Sequence, residues 1–211
     1  FGADFRAGRP RVVCRETVLQ QAAAEETVSR ELGGVLHEGR VRLEIEPAER
    51  DRASEVRFEL REDNDLGHWR EEVERALRDG LQNGVLQGAP VQGVLVRVVD
   101  LGHPGEAASE AGYHMAATGA LKKALQAARP VLMEPVMSLE LIVPEDFVGE
   151  FVTLLGAKGG KVESMENSAE GKVIHSLAPL SRLFGFSTEL RSATQGRGTF
   201  SMHFYRFDVP E

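Results

Sequence analysis

The chain has 211 residues, 42% hydrophobic and 27% charged, a composition that fits one or two soluble globular domains. A formal net charge of −8 argues against a protein that coats nucleic acid by bulk attraction, but it leaves room for a local basic patch or recognition by shape. The single cysteine, Cys14, cannot form an internal disulfide, and no apolar run approaches the roughly 20 residues of a membrane span. Cys14 reads as a small buried hydrophobe in a reducing compartment. The chain opens on "FGADF" rather than on methionine, and we expect a piece of a longer protein.

In chain order, "RPRVVCRETV" predicts a strand. Gln20–Leu32 is ambiguous, because its alanines and glutamates prefer helix while it runs directly into "GG" and an alternating segment. "RVRLEIEP" and "EVRFELRE" alternate strictly and predict neighbouring strands. "HWREEVERALRDGLQN" puts Trp69, Val73, Ala76, Leu77 and Leu81 on one face of a helix. "VQGVLVRVVDL" predicts a buried strand. "SEAGYHMAATGALKKALQAA" predicts a second helix, with Ala111, Met115, Thr118, Leu121, Leu125 and Ala128 as its inner stripe. The prolines of "ARPVLMEPVM" stop that helix and mark a domain boundary.

Beyond the boundary, "MSLELIV" alternates Met137, Leu139, Leu141 and Val143 on one face. "PEDFVGEFVTLLG" has helical spacing at Phe147, Val148, Phe151, Leu154 and Leu155, with Gly156 as its stop. "KVESME" and "KVIHSLA" predict two strands joined by "NSAEG". In "PLSRLFGFSTELRSATQGRG", Leu180, Leu183 and Phe184 form an apolar turn, and Gly185 breaks it. Ser187 caps a short helix whose Leu190 and Ala193 face the sheet. "TFSMHFYRF" closes the domain with Phe200, Met202 and Phe204 on one face. The fold class is α+β: a mixed α/β domain over residues 1–133, then a β-α-β-β-α-β ferredoxin-like sandwich over residues 134–211.

Little in the sequence points to catalysis. "GAKGGKVE" lacks the spacing of a phosphate loop and reads as a glycine-rich helix exit. The six histidines (His37, His68, His103, His114, His175 and His203) form no tight ligand pair, so no metal is expected. "DLGHPGEAAS" offers Asp100, His103, Glu106 and Ser109 in one surface loop. An enzyme or ligand-sensing module would require them to converge on a common point. Lys158, Lys161, Arg182, Arg191 and Arg197 sit at glycine-rich corners. They are either solvated or placed to contact the phosphates of a structured RNA.

"PVLMEPVM" and then "PLSRLFGFSTELRSATQGRGTFSMHFYRFDVP" resemble the C-terminal end of translation elongation factor G. That family carries a closely similar "PLS-x-x-FG-[FY]-x-T-x-LRS-x-T-x-GR" run before an alternating strand. Upstream the likeness is weaker. "GRPRVVCRET" resembles the start of the family's fourth domain. Gly84, Leu86, Gly88, Pro90 and Val91 keep its G-x-L-x-G-x-P-V pattern, and "SEAGYHMAA" falls where its helix begins. The resemblance implies the fourth and fifth domains of a translocation GTPase, the fourth resembling the ribosomal protein S5 second-domain fold. It makes Thr27–Leu32 a strand and gives the fourth domain tip loops at 33–39 and 100–108.

The function so implied is mechanical. A monomeric, cytoplasmic, ribosome-binding arm meets ribosomal RNA and proteins near the stalk base, its tip reaching the decoding region. No membrane is involved, and the chain carries no catalytic group or cofactor of its own. GTP and Mg belong to a GTPase portion absent from it. Nucleic-acid contacts are expected at His37, Arg40 and His103 near the tip, and at Lys158, Lys161, Arg182, Arg191 and Arg197 on the last domain. The departures from the family pattern concentrate at the tip. Val35, Leu36, His37 and Glu38 replace a segment with glycine, glutamine and an aromatic, and Pro104 stands where the family's second loop has a histidine. They imply a divergent paralogue acting in recycling or regulation as the alternative reading.

Overall fold

A computed structural model describes residues 12–60 and 69–210. The first residues of the expected strand "RPRVVCRETV", the tail of "EVRFELRE" and His68 lie outside them. The chain divides into two compact units, one over Arg15–Met133 and one built around Glu134–Glu211.

In the first unit the strands are β1 (Arg15–Val18), β2 (Ala22–Leu32), β3 (Val35–Pro47), β4 (Glu55–Phe58) and β5 (Val94–Gly102). The helices are α1 (Arg70–Leu81) and α2 (Glu110–Ala127). The sheet order is β2-β3-β5-β4, antiparallel except for the parallel β4–β5 pair that α1 connects. The two alternating segments are therefore not neighbours. β5 lies between them, with Val94, Val96 and Val98 buried on its core face and Arg97 on the other, beside Glu44 and Glu46 of β3. β1 pairs with the first four residues of β6 (Pro130–Val143). Both prolines of "ARPVLMEPVM" lie within that strand, Pro130 at its start and Pro135 beside a register shift, positions where a missing N–H is tolerated.

β2 is strand throughout, including its alanines and glutamates. Their weak helix preference gives way to eleven register pairs with β3 and to packing of Ala22, Ala24 and Val28 on the core. The segment expected as a tip loop over 33–39 is mostly strand as well. Leu32 pairs with Val35, so Gly33 and Gly34 alone make the turn. Their φ values of 59° and 82° suit the two-residue hairpin turn that matches strand twist.

The buried stripe of α2 keeps Leu121, Leu125 and, at the helix end, Ala128 from the expected one, but not Ala111, Met115 or Thr118. It consists of Gly112, Tyr113, Ala116, Ala117, Ala120, Leu121, Ala124 and Leu125, while Thr118 is exposed. Glycine and alanine join Tyr113, Leu121 and Leu125 on that stripe because the helix lies close to the sheet. A Cβ on Gly112 would strike the Glu38 backbone, and one on Gly39 would strike the Gly112 and Tyr113 backbone.

The second unit runs β6, α3 (Val148–Ala157), β7 (Lys161–Ser168), β8 (Gly171–Pro179), α4 (Phe186–Ala193) and β9 (Thr199–Asp208). β6 pairs antiparallel with both β8 and β9, and β7 flanks β8. This is the ferredoxin-like β-α-β-β-α-β arrangement. Leu139, Leu141, Val143, Ile174 and Ala178 from the sheet meet Phe151, Leu155, Phe186 and Leu190 from the helices. Phe186 packs edge-on against Phe151 and Phe200, with ring centres 6.3 and 5.3 Å apart.

Three local expectations change here. The α3 stop is Gly159 (φ 67°), not Gly156: the Gly160 N–H reaches back to the Leu155 carbonyl at 2.8 Å, closing a Schellman-type turn. The α4 cap is Gly185 in the left-handed region (φ 81°), so Ser187 already lies in the first turn. Phe186, one residue past that bend, takes the core position, and Phe184 is 44% exposed. On the edge strand β9, Met202 and Phe204 share the face of Phe200 but remain exposed.

Candidate nucleic-acid interface

His37, Arg40 and His103 of the first unit lie around the end of β5: Arg40 pairs in register with Gly102, His103 follows it, and His37 reaches Ser109. β5 carries a bulge: Val98 pairs with Leu43 and Asp100 with Arg42, leaving Val99 without a partner. Alternation flips there, so Leu101 turns inward and Asp100 outward. Arg40 Nη2 then donates to Asp100 Oδ2 at 2.8 Å, a half-exposed ion pair. His37 Nδ1 lies 2.9 Å from Ser109 Oγ, which caps α2 by accepting from the Gly112 N–H at 3.1 Å. His103 is exposed, with Nδ1 3.2 Å from the Tyr113 hydroxyl. Tyr113 is buried and stacks on Trp69 with ring centres 5.0 Å apart. Burial pushes its phenol up to about 12, with the Arg40 charge opposing and the Asp100 charge assisting.

The four polar residues of "DLGHPGEAAS" do not converge. Asp100 faces Arg40, His103 meets Tyr113, Ser109 caps a helix, and Glu106 is exposed. No nucleophile–base pair arises among them, and the enzyme reading loses its motif.

In the second unit the five cations separate into two groups. At the C-terminal end of α3, Lys158 Nζ pairs with Glu189 Oε1 at 2.7 Å, the Arg182 guanidinium lies against Gly159, and Lys161 opens β7. Lys161 and Arg182 line a cleft of about 320 Å³ together with Glu134, Arg206 and Asp208. At the other end of α3, the Arg197 guanidinium sits 4.6 Å from the centre of the Phe147 ring. Arg191 is exposed in the last turn of α4. Arg206, which sequence reasoning missed, belongs to the first group: it pairs with Asp208 at 2.9 Å and stacks over Tyr205. The only hint was its position in "HFYRFD", where alternation puts it on the face opposite Tyr205 and Phe207.

The glycine-rich "GAKGG" turn spends its amides on closing the helix. The Lys158, Gly159 and Gly160 N–H groups donate to the carbonyls of Leu154, Leu155 and Gly156, so the amides that a phosphate loop would need are engaged. Among the described residues no helix is long and apolar enough to cross a membrane, and no cluster of three metal-ligating side chains forms.

Comparison with known proteins assigns both units. A family model described as elongation factor G, domain IV, matches residues 10–129, and one described as elongation factor G C-terminus matches residues 131–210. Elongation factor G 2 of Syntrophus aciditrophicus (strain SB) is 35% identical over 210 residues, covering 99% of this chain and 31% of that protein. Elongation factor G of Aquifex pyrophilus is 36% identical over 216 residues, covering 100% of this chain and 30% of that protein. A crystal structure of a Thermus thermophilus protein superposes with a TM-score of 0.82 at 27% identity, over 96% of this chain and 30% of that one. The chain thus spans about a third of the length of these relatives. With two adjoining family models matched in succession across nearly all of its residues, it belongs to the elongation factor G family.

Proposed function

We propose that this chain is the ribosome-binding C-terminal arm of an elongation factor G-like translational GTPase, acting mechanically in the movement of tRNA and mRNA. One observation carries the reading: the two units match consecutive parts of a single family, in the family's order. GTP and Mg chemistry then belongs to the part of the parent protein outside this chain, and the working compartment is the cytoplasm. The arm contributes surface and stiffness. Its exposed cations, Arg191 foremost, meet ribosomal RNA phosphates with charge-assisted hydrogen bonds. A few placed cations suffice because recognition of folded RNA rests on shape. Arg182 and Lys161 form a second contact at the cleft, and His103 a third in the loop that follows β5 of the first unit.

The test is co-sedimentation of the chain with ribosomes over a salt series. Binding should weaken as salt rises. Arg191→Glu combined with Arg197→Glu should weaken it about tenfold. Unchanged binding across charge reversals at Lys161, Arg182, Arg191 and Arg197 would discard the RNA-contact assignment.

A second reading has its own support. The hairpin tip from Leu32 to Leu36 contains no charged residue, and Leu32, Val35 and Leu36 are 42%, 58% and 47% exposed. An apolar tip is poorly suited to contacting phosphate and fits a divergent paralogue acting in recycling or regulation. A full-length parent that moved mRNA and tRNA at the rate of an ordinary relative would dispose of it.

A further inference from the structure

We propose that Glu38 is a positioning residue that presets the 103–109 loop, so that the end of the first unit meets its partner already formed. The proposal rests on the ribosome-arm reading for its consequence but not for its geometry.

Beyond Gly102, where β5 ends, the chain loops out and returns so that Ala107–Ser109 runs beside β3 in place of β5. Glu38 holds that return at three points, and a fourth bond ties its side chain to Ser29 of β2. Its N–H donates to the Ala107 carbonyl at 2.9 Å, and its carbonyl accepts from the Ser109 N–H at 3.2 Å. Its side chain accepts from the Ala107 N–H at 3.0 Å and, through the other oxygen, from the Ser29 hydroxyl at 3.0 Å. The first two bonds any residue could make. The last two need a carboxyl-shaped side chain.

Glu38 is only 5% exposed, although strand alternation puts it on the face of β3 opposite Val41 and Leu43. The loop itself covers it. Gly105 packs so closely that a Cβ there would lie 2.6 Å from Glu38 Oε2. Both side-chain partners are neutral, and a carboxylate buried without a cation is costly unless fully hydrogen-bonded. The second clasp, His37 on Ser109, fixes the end of the same loop.

The experiment is hydrogen exchange on the whole chain, read at the Ala107 and Ser109 amides, with the α1 amides and Trp69 fluorescence as folding controls. Glu38→Ala should speed exchange at Ala107 about tenfold while α1 is unchanged. Glu38→Gln should stay within about threefold of the parent, because the amide oxygen still accepts from Ala107 and the rotated Ser29 hydroxyl can accept from the amide nitrogen. Ser29→Ala removes only the bond that orients the carboxylate and should give a few-fold increase. If Glu38→Ala does not fold, Ser29→Ala and Glu38→Gln carry the test. Unchanged exchange at Ala107 in a folded Glu38→Ala or Ser29→Ala protein would overturn the proposal, as would a Glu38→Gln as fast as Glu38→Ala. No ribosome enters this assay, so its failure is separate from failure of the parent chain to bind ribosomes.

Discussion

Replacing Glu16 by alanine should cost the first unit about 3–5 kcal/mol. Glu16 is 2% exposed, and its carboxylate fills a nest of backbone donors. Oε1 accepts from the Gln87 N–H at 2.8 Å and the Ala89 N–H at 3.2 Å, and Oε2 accepts from the Leu86 N–H at 2.9 Å. Gly84 leaves the space the carboxylate occupies, and Gly88 (φ 70°) turns the chain around it. Hydrogen bonds to a charged acceptor contribute about 1.5–3 kcal/mol each, and a stranded buried donor loses about 1–3 kcal/mol. Three such bonds, partly replaced by water entering the vacated space, give the stated range. Glu16→Gln keeps the shape but aims an NH2 at one of the donors, so it should cost about 1–3 kcal/mol. The assay is urea unfolding followed by fluorescence of Trp69, the sole tryptophan in the sequence and part of the first unit's packing. Both variants lying within about 1 kcal/mol of the parent, at unchanged m-value, would refute the claim that this carboxylate organises the 84–91 loop.

Gly112→Ala should destabilise the first unit by about 2 kcal/mol, although alanine is the better helix former by about 1 kcal/mol. The added methyl must push α2 off the Glu38 backbone, and a net stabilisation in the same urea assay would contradict the close approach. Tyr113 makes stability depend on pH at the alkaline end. Its folded value of about 12 lies above the ordinary 10, so the benefit of keeping the phenol neutral is complete below pH 10. It is lost as pH rises from 10 to 12, about 2–3 kcal/mol in all. Absorbance titration should show a tyrosine step near pH 12 that Tyr113→Phe removes.

The β-α-β-β-α-β order was legible because its signals are local. Apolar alternation in "MSLELIV" and the helical spacing in "PEDFVGEFVTLLG" each occupy a short stretch of chain. β2 was obscure for the opposite reason. Its alanines and glutamates are ordinary helix formers, and only pairing with β3 decides their conformation. The stripe on α2 was half legible: Leu121, Leu125 and Ala128 are buried as expected, while the close approach of α2 to β3 puts Gly112, Ala116 and Ala120 inward in place of Ala111, Met115 and Thr118. Glu16 and Glu38 carried no readable signal. A carboxylate that binds backbone N–H groups some 70 residues away leaves no fixed spacing in the chain. The cations on the last domain were visible as residue types, but their separation between the two ends of α3 depends on how α3 and α4 lie antiparallel.

The two-glycine turn limits how the β2–β3 finger can change length. Inserting one residue would slide one strand past the other by a single position. Ala22, Ala24 and Val28 would then swing away from the core, and Ala23, Glu25 and Thr27 would turn into it. Adding one residue to each strand leaves every inward side chain facing inward and pushes the tip out by about 3.4 Å. The reach of this finger can therefore grow or shrink only in matched steps, like a zip that gains teeth on both tapes at once.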